Sequence, residues 1–231
     1  MKKRYYLAAL LALGFCANAS ATNYLGPPTT RIKAGQWLVG VSYADSTQDV
    51  EFTDGFVFED LDAMFILGRF GVGLATERAE LFGLVGAAQL EQDEFDTGND
   101  LVFAGGARLT MQRGNELDWG LVGQVTYLKT DSDSVVLSTQ TGYELTVAEA
   151  QVAIGPCWRP GKAILYGGPL FHWIDGQIDT DLVGNHDIRQ RSMFGAYLGG
   201  GLQVTEQFTA TAEIQATGDA FGWGIAAEWR F

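Results

Sequence analysis

The last eleven residues, Phe221 to Phe231, read FGWGIAAEWRF. Side chains along a strand point alternately to opposite sides, so Phe221, Trp223, Ile225, Ala227, Trp229 and Phe231 share one face and Gly222, Gly224, Ala226, Glu228 and Arg230 the other. One face is large and apolar; the other is small or charged. The stretch therefore predicts a closing β-strand that separates an apolar environment from a crowded polar one.

Working back from it, the same alternation recurs along the chain. Trp37, Val39, Val41 and Tyr43 alternate with Gln36, Leu38, Gly40 and Ser42 in a first strand over Gly35 to Ala44. Further strands are predicted over Asp60 to Gly71, Ala79 to Glu91, Leu101 to Arg113, Leu117 to Thr130, Glu144 to Trp158, Ala163 to Gly176, Gln190 to Val204 and Phe208 to Gln215. With the closing strand that makes ten, or eight if one pair is a long loop hairpin. An even count returns both ends of the chain to one side, as in single-chain membrane barrels.

The connections alternate between two kinds. Leu74 to Arg78, Gly114 to Glu116, Arg159 to Lys162 and Thr205 to Gln207 are short, whereas Asp45 to Glu59, Gln92 to Asp100, Asp131 to Tyr143 and Gln177 to Arg189 are long and polar. Short turns on one side and long loops on the other fit an antiparallel up-and-down β-barrel. Ala216 to Ala220 is a short connection on the long-loop side, which makes its strand pair the exception. The aromatic residues sort by level in the same scheme. Trp37, Trp119, Trp158 and Trp229 fall at the short-turn end, and Trp173 and Trp223 fall at the other with Tyr43, Phe103 and Tyr127. Rings with a polar edge collect at the two interfaces of a bilayer.

The other end of the chain places these strands in an exported protein. Lys2, Lys3 and Arg4 precede an apolar run from Tyr5 to Phe15 that is too short to span a bilayer, and Ala19-Ser20-Ala21 is a small-residue cleavage site. Residues 1–21 are thus expected to be a signal peptide, and 22–34, with Pro27-Pro28, a short periplasmic lead-in to a barrel over 35–231. Loss of the signal leaves one cysteine, Cys157, and no internal disulfide. It also takes the formal charge from -13 to -16, since three cations and no carboxylates go with it. So acidic a chain offers no basic patch for phosphates, which argues against nucleic acid as a partner.

On these residues the chain resembles the small bacterial outer-membrane β-barrel proteins of the opacity and OmpX-like kind. The resemblance is carried by GVGLATERAELFGLVGAAQLE (Gly71 to Glu91), LQVTEQFTATAEIQ (Leu202 to Gln215) and the closing GWGIAAEWRF. It implies an all-β transmembrane barrel of the outer membrane, in contact with lipid and lipopolysaccharide. It also implies that the terminal aromatic residue, Phe231, is the signal read by the barrel-assembly machinery. Its motifs are structural and bring no catalytic residue.

The face turned from the lipid carries Arg108, Gln124, Glu149, Gln151, Glu213, Glu228 and Arg230, with Gln112 and Gln215. Charges enclosed in a narrow lumen must pair, so an ion-pair and hydrogen-bond network is expected to fill it. Barrels of this strand number are filled by side chains, and open channels belong to wider ones. His172 is expected in the lumen near the outer rim, and His186-Asp187 in an acidic loop without the spacing of a nucleophilic motif. No enzyme activity and no tightly held cofactor are expected. Six carboxylates between Asp45 and Asp60 and five between Glu91 and Asp100 lack any Lys or Arg among them. Weak Ca²⁺ or Mg²⁺ binding at Asp93, Glu94 and Asp96 is the cation chemistry these loops could support. Three functions follow: a structural or surface-interaction barrel, a narrow cation-favouring porin, and a rim enzyme.

Overall fold

The computed structural model describes residues 23–231 except 53–56, 75–76, 93–94, 97–98, 137–138 and 181–183. Twelve strands are formed: β1 (Trp37–Phe52), β2 (Val57–Gly73), β3 (Ala79–Gln92), β4 (Phe95–Asp96), β5 (Asp100–Gln112), β6 (Leu117–Val136), β7 (Thr139–Trp158), β8 (Ala163–Thr180), β9 (Gly184–Gln190), β10 (Phe194–Gln203), β11 (Phe208–Ala216) and β12 (Ala220–Arg230). All pair antiparallel with their neighbours in one sheet, which closes where β12 meets β1 from Leu38↔Arg230 to Gln48↔Ala220. At the base of that seam the backbones of Trp37 and Phe231 exchange two hydrogen bonds, of 3.3 and 2.9 Å. The wall is a barrel of ten strands, with β9 and β10 as two parts of one and β4 a short addition to β3.

The strand count changes with height, because the β11–β12 hairpin is short. Above its tip β1 shifts register between Gln48 and Val50 and takes β9 as its new partner, pairing Val50↔Gln190, Glu51↔Arg189 and Phe52↔Ile188. Among the described residues the circuit is therefore ten strands below the hairpin tip and eight above it. The connection that broke the length rule, Ala216 to Ala220, is this tip. Gln190 to Val204, expected as one strand, is interrupted at 191–193 where its two parts change neighbours. Asp219 holds the break: its carboxylate accepts the Arg191 and Ser192 N–H groups at 2.9 and 2.6 Å and the Thr217 hydroxyl at 2.8 Å.

The two faces decide between a soluble and a membrane barrel. Val41, Ile66, Phe70, Val85, Val125, Leu198 and Ile225 are exposed on the outside, while Ser42, Arg69, Glu80, Arg108, Gln124 and Glu213 are buried inside. A soluble barrel would reverse this, and a barrel solvated by lipid requires it. Trp37, Trp119, Trp158 and Trp229 face outward near the short turns, and Trp173 and Trp223 face outward nearer the other rim, where the Tyr43 and Trp223 rings lie 5.3 Å apart.

Two expectations need correction. The long polar segments are in large part strand, since β1 continues to Phe52, β6 to Val136, and β7 starts at Thr139. Once out of the lipid a ladder continues through its backbone hydrogen bonds whatever its side chains, so polarity marks the membrane boundary rather than the strand end. The second concerns the stretch read as a periplasmic lead-in. Asn23, Tyr24, Leu25, Thr29, Thr30 and Ile32 are buried within the barrel, with Lys33 exposed at its short-turn end.

Candidate functional site

The lumen is where this chain departs from an ordinary wall of strands, and its lower half is organised around the leading segment, residues 23–33. An extended backbone inside a barrel has no ladder of its own, so its polar groups must bond to the inward side chains. Glu213 accepts the N–H groups of Leu25 and Gly26 at 3.1 and 3.0 Å, one on each carboxylate oxygen. Arg108 donates to the Leu25 carbonyl at 3.0 Å, Gln215 donates to the Asn23 carbonyl at 2.7 Å, and the Thr30 N–H donates to the Thr110 hydroxyl at 3.0 Å. The segment is thus held by β5 and β11 on opposite sides.

Room for it is left by missing side chains. A Cβ at Gly120 would lie 2.4 Å from the Pro28 carbonyl oxygen. Gly26 in the segment itself has φ +81°, a left-handed turn for which glycine is suited, and a Cβ there would lie 2.7 Å from Arg108 Nη2.

Around the segment runs a buried ion network. Arg31 Nη1 lies 2.6 Å from Glu228 Oε2, while Arg69 and Arg108 approach Glu228 Oε1 at 3.6 and 3.9 Å. Arg108 also pairs with Glu80 at 3.0 Å, and the guanidinium carbons of Arg69 and Arg108 stand over the Phe82 ring at 3.9 and 5.2 Å. Three guanidinium groups thus meet two carboxylates, with the ring face as a further favourable surface for cations. Of the residues expected to form a lumen network, Arg108 and Glu228 belong to this cluster. Glu213 and Gln151 join through Gln215, whose amide donates to Glu213 at 2.8 Å and accepts from Gln151 at 3.3 Å. Arg230 lies apart, at the periplasmic mouth, where it donates to the Arg31 carbonyl at 3.0 Å. Gln124 is buried, and its amide has no hydrogen-bond partner in the structure.

Glu149 sits higher. It contacts His172 Nε2 at 2.9 Å, and His172 Nδ1 faces Gln190 Nε2 at 3.0 Å, so the histidine is fully buried in the lumen between two polar side chains. Above it Val50, Leu61, Phe65, Leu128, Val147 and Ile174, with the polar Gln48, Thr126 and Glu149, line a cavity of about 30 Å³. Arg31, Arg69, Glu80 and the leading segment were not among the expected network residues. Arg69 and Glu80 were legible in principle, because they share the inward alternation of β2 and β3; the leading segment has no period to read. Of the divalent-cation candidates, Asp93 and Glu94 lie outside the described residues, as does the side chain of Asp96. Among the described residues no cluster of three or more His, Cys, Asp or Glu is placed to hold a metal.

Comparison with known proteins places the fold. No family model matches the chain, and no curated protein sequence matches it. Among solved structures, the translocator domain of the autotransporter NalP from Neisseria meningitidis is similar at TM-score 0.53 and 9% identity, over 87% of this chain and 90% of that one. The COG4313 outer membrane channel from Pseudomonas putida F1 matches at 0.49 and 13%, over 90% and 100%. Ail of Yersinia pestis matches at 0.41 and 16%, over 86% and 99%. The likeness to the NalP translocator domain extends to the fold alone; with an apolar exterior around a buried polar interior, the chain is a transmembrane antiparallel β-barrel.

Proposed function

We propose that this protein is a closed barrel that acts through its surfaces, as a structural or surface-interaction element of the outer membrane, and not as a pore or a hydrolase. The observation that carries the reading is the leading segment inside the lumen, tied to Glu213, Arg108, Thr110 and Glu228. The cavity of about 30 Å³ above it supports the same reading, since so small a space offers no continuous water-filled path. His172 is engaged on both ring nitrogens and buried, which supports a positioning role in the wall over attack on an external substrate. On this reading the partners are outer-membrane lipid, lipopolysaccharide bridged to the acidic outer segments by Mg²⁺ or Ca²⁺, and the assembly machinery that reads Phe231.

Planar-bilayer recording tests the closed state against the narrow cation-favouring porin. The purified protein should insert without discrete conductance steps at moderate voltage. Stable, cation-selective steps from the wild-type chain would overturn the reading.

A further inference from the structure

The chain is strongly acidic, yet its cations are not spread evenly. Arg31, Lys33, Arg113, Arg159 and Arg230, with Thr30, line one cavity of about 250 Å³ at the periplasmic mouth, and no carboxylate is part of its lining. The topology gathers them: Arg113 follows β5, Arg159 follows β7, Arg230 ends β12, and Arg31 and Lys33 are where the leading segment leaves the lumen. We infer that this cavity is a binding site for a phosphate-bearing anion on the periplasmic side.

The charges that face it can be counted from every side. Glu228 takes Arg31 Nη1 but is shared with Arg69 and Arg108, and Asp118 pairs with Arg159. Arg113 spends one nitrogen on the backbone carbonyl of Glu77 and Arg230 two, on those of Arg31 and Glu206, which neutralise no charge. The Glu116 carboxylate is directed to the Trp158 indole. None of these carboxylates is part of the cavity's own lining, whose charged groups are all cations. The Arg31 side chain in its wall is only 4% exposed, and its Nη2, like Nε of Arg230, is buried without a hydrogen-bond partner. A tetrahedral oxyanion with several acceptor oxygens suits a cavity walled by cations, through charge-assisted bonds to the donors that reach it. Arginine forks suit phosphate geometry, and the cavity has space for one or two phosphate groups. The same chemistry is offered by a soluble phosphate and by the headgroup of an anionic phospholipid in the inner leaflet, which this rim adjoins.

The test uses the full mature protein in nanodiscs, titrated calorimetrically with inorganic phosphate and pyrophosphate. Two of the cavity's side chains, Lys33 and Arg113, are exposed, so Lys33→Gln with Arg113→Gln should leave the fold and its heat-modifiable gel mobility intact. Saturable binding is expected, with affinity lowered about tenfold or more in the double variant, the loss of charge-assisted bonds corresponding to at least one decade. Arg189→Gln, on the outer side, should leave it unchanged. Discs of phosphatidylglycerol in place of phosphatidylcholine separate the sources: weakened phosphate binding there identifies the headgroup as occupant, and unchanged binding identifies a soluble phosphate. Absence of saturable binding in phosphatidylcholine discs, or binding indifferent to the double substitution, overturns the proposal.

Discussion

Arg31 and Glu228 stand 2.6 Å apart, nearly two hundred residues separated in sequence, and their ion pair joins the leading segment to the last strand. The pair is buried, with side-chain exposures of 4% and 1%. Its carboxylate also faces Arg69 and Arg108, so one residue of the closing strand is shared among three cations.

Replacing that carboxylate should therefore cost more than one bond. Glu228→Gln removes a charge and leaves three guanidinium groups facing each other across Glu80 alone, and breaking a buried pair in this way costs about 3–5 kcal/mol. Urea unfolding in lipid vesicles should show a loss of that order. The conservative size of glutamine keeps packing out of the comparison. A variant as stable as wild type would mean that the network contributes nothing net.

Asp219 governs the place where the wall passes from ten strands to eight. Its carboxylate oxygen takes the Arg191 and Ser192 N–H groups in the gap between β9 and β10. Asp219→Ala strands both, at a cost of about 1–3 kcal/mol. Hydrogen exchange should accelerate at 191–193 and leave β2, β3 and β5 unchanged. Uniform acceleration around the barrel would count against a local role.

The lipid face makes a depth-dependent prediction. Leu117 and Leu121 lie on the outward face of β6, Leu117 at the periplasmic end before Trp119 and Leu121 inside the band between Trp119 and Tyr127. Leu121→Arg should destabilise by about 2–4 kcal/mol and Leu117→Arg by about 0–1 kcal/mol. Equal costs in reversible membrane folding would contradict the position given to the bilayer.

These outcomes rest on features of unequal legibility in the sequence. The faces of β12 were plain because a period of two repeats over eleven residues, and the tryptophan levels were plain because two interfaces fix them. The break at 191–193 carried no local signal, since the residue that satisfies its backbone, Asp219, lies on another hairpin. The course of residues 23–33 was illegible for the same reason. Pro27 and Pro28 show that the segment is neither helix nor central strand, but its acceptors and donors are Glu213, Arg108 and Thr110, dispersed over the wall. Glu213 and Arg108 were readable as inward and charged; that they share a partner in the backbone of Leu25 within the lumen was not.

The placement of that segment is the centre of the account, and thiol accessibility tests it most directly. With Cys157 replaced by Ala in the mature chain, single cysteines are introduced as Thr30→Cys, buried in the lumen, and Lys33→Cys, exposed at its mouth. In folded barrels a bulky maleimide should label Lys33→Cys readily and Thr30→Cys only after denaturation. Equal labelling of both in the folded protein would contradict a leading segment housed inside the barrel.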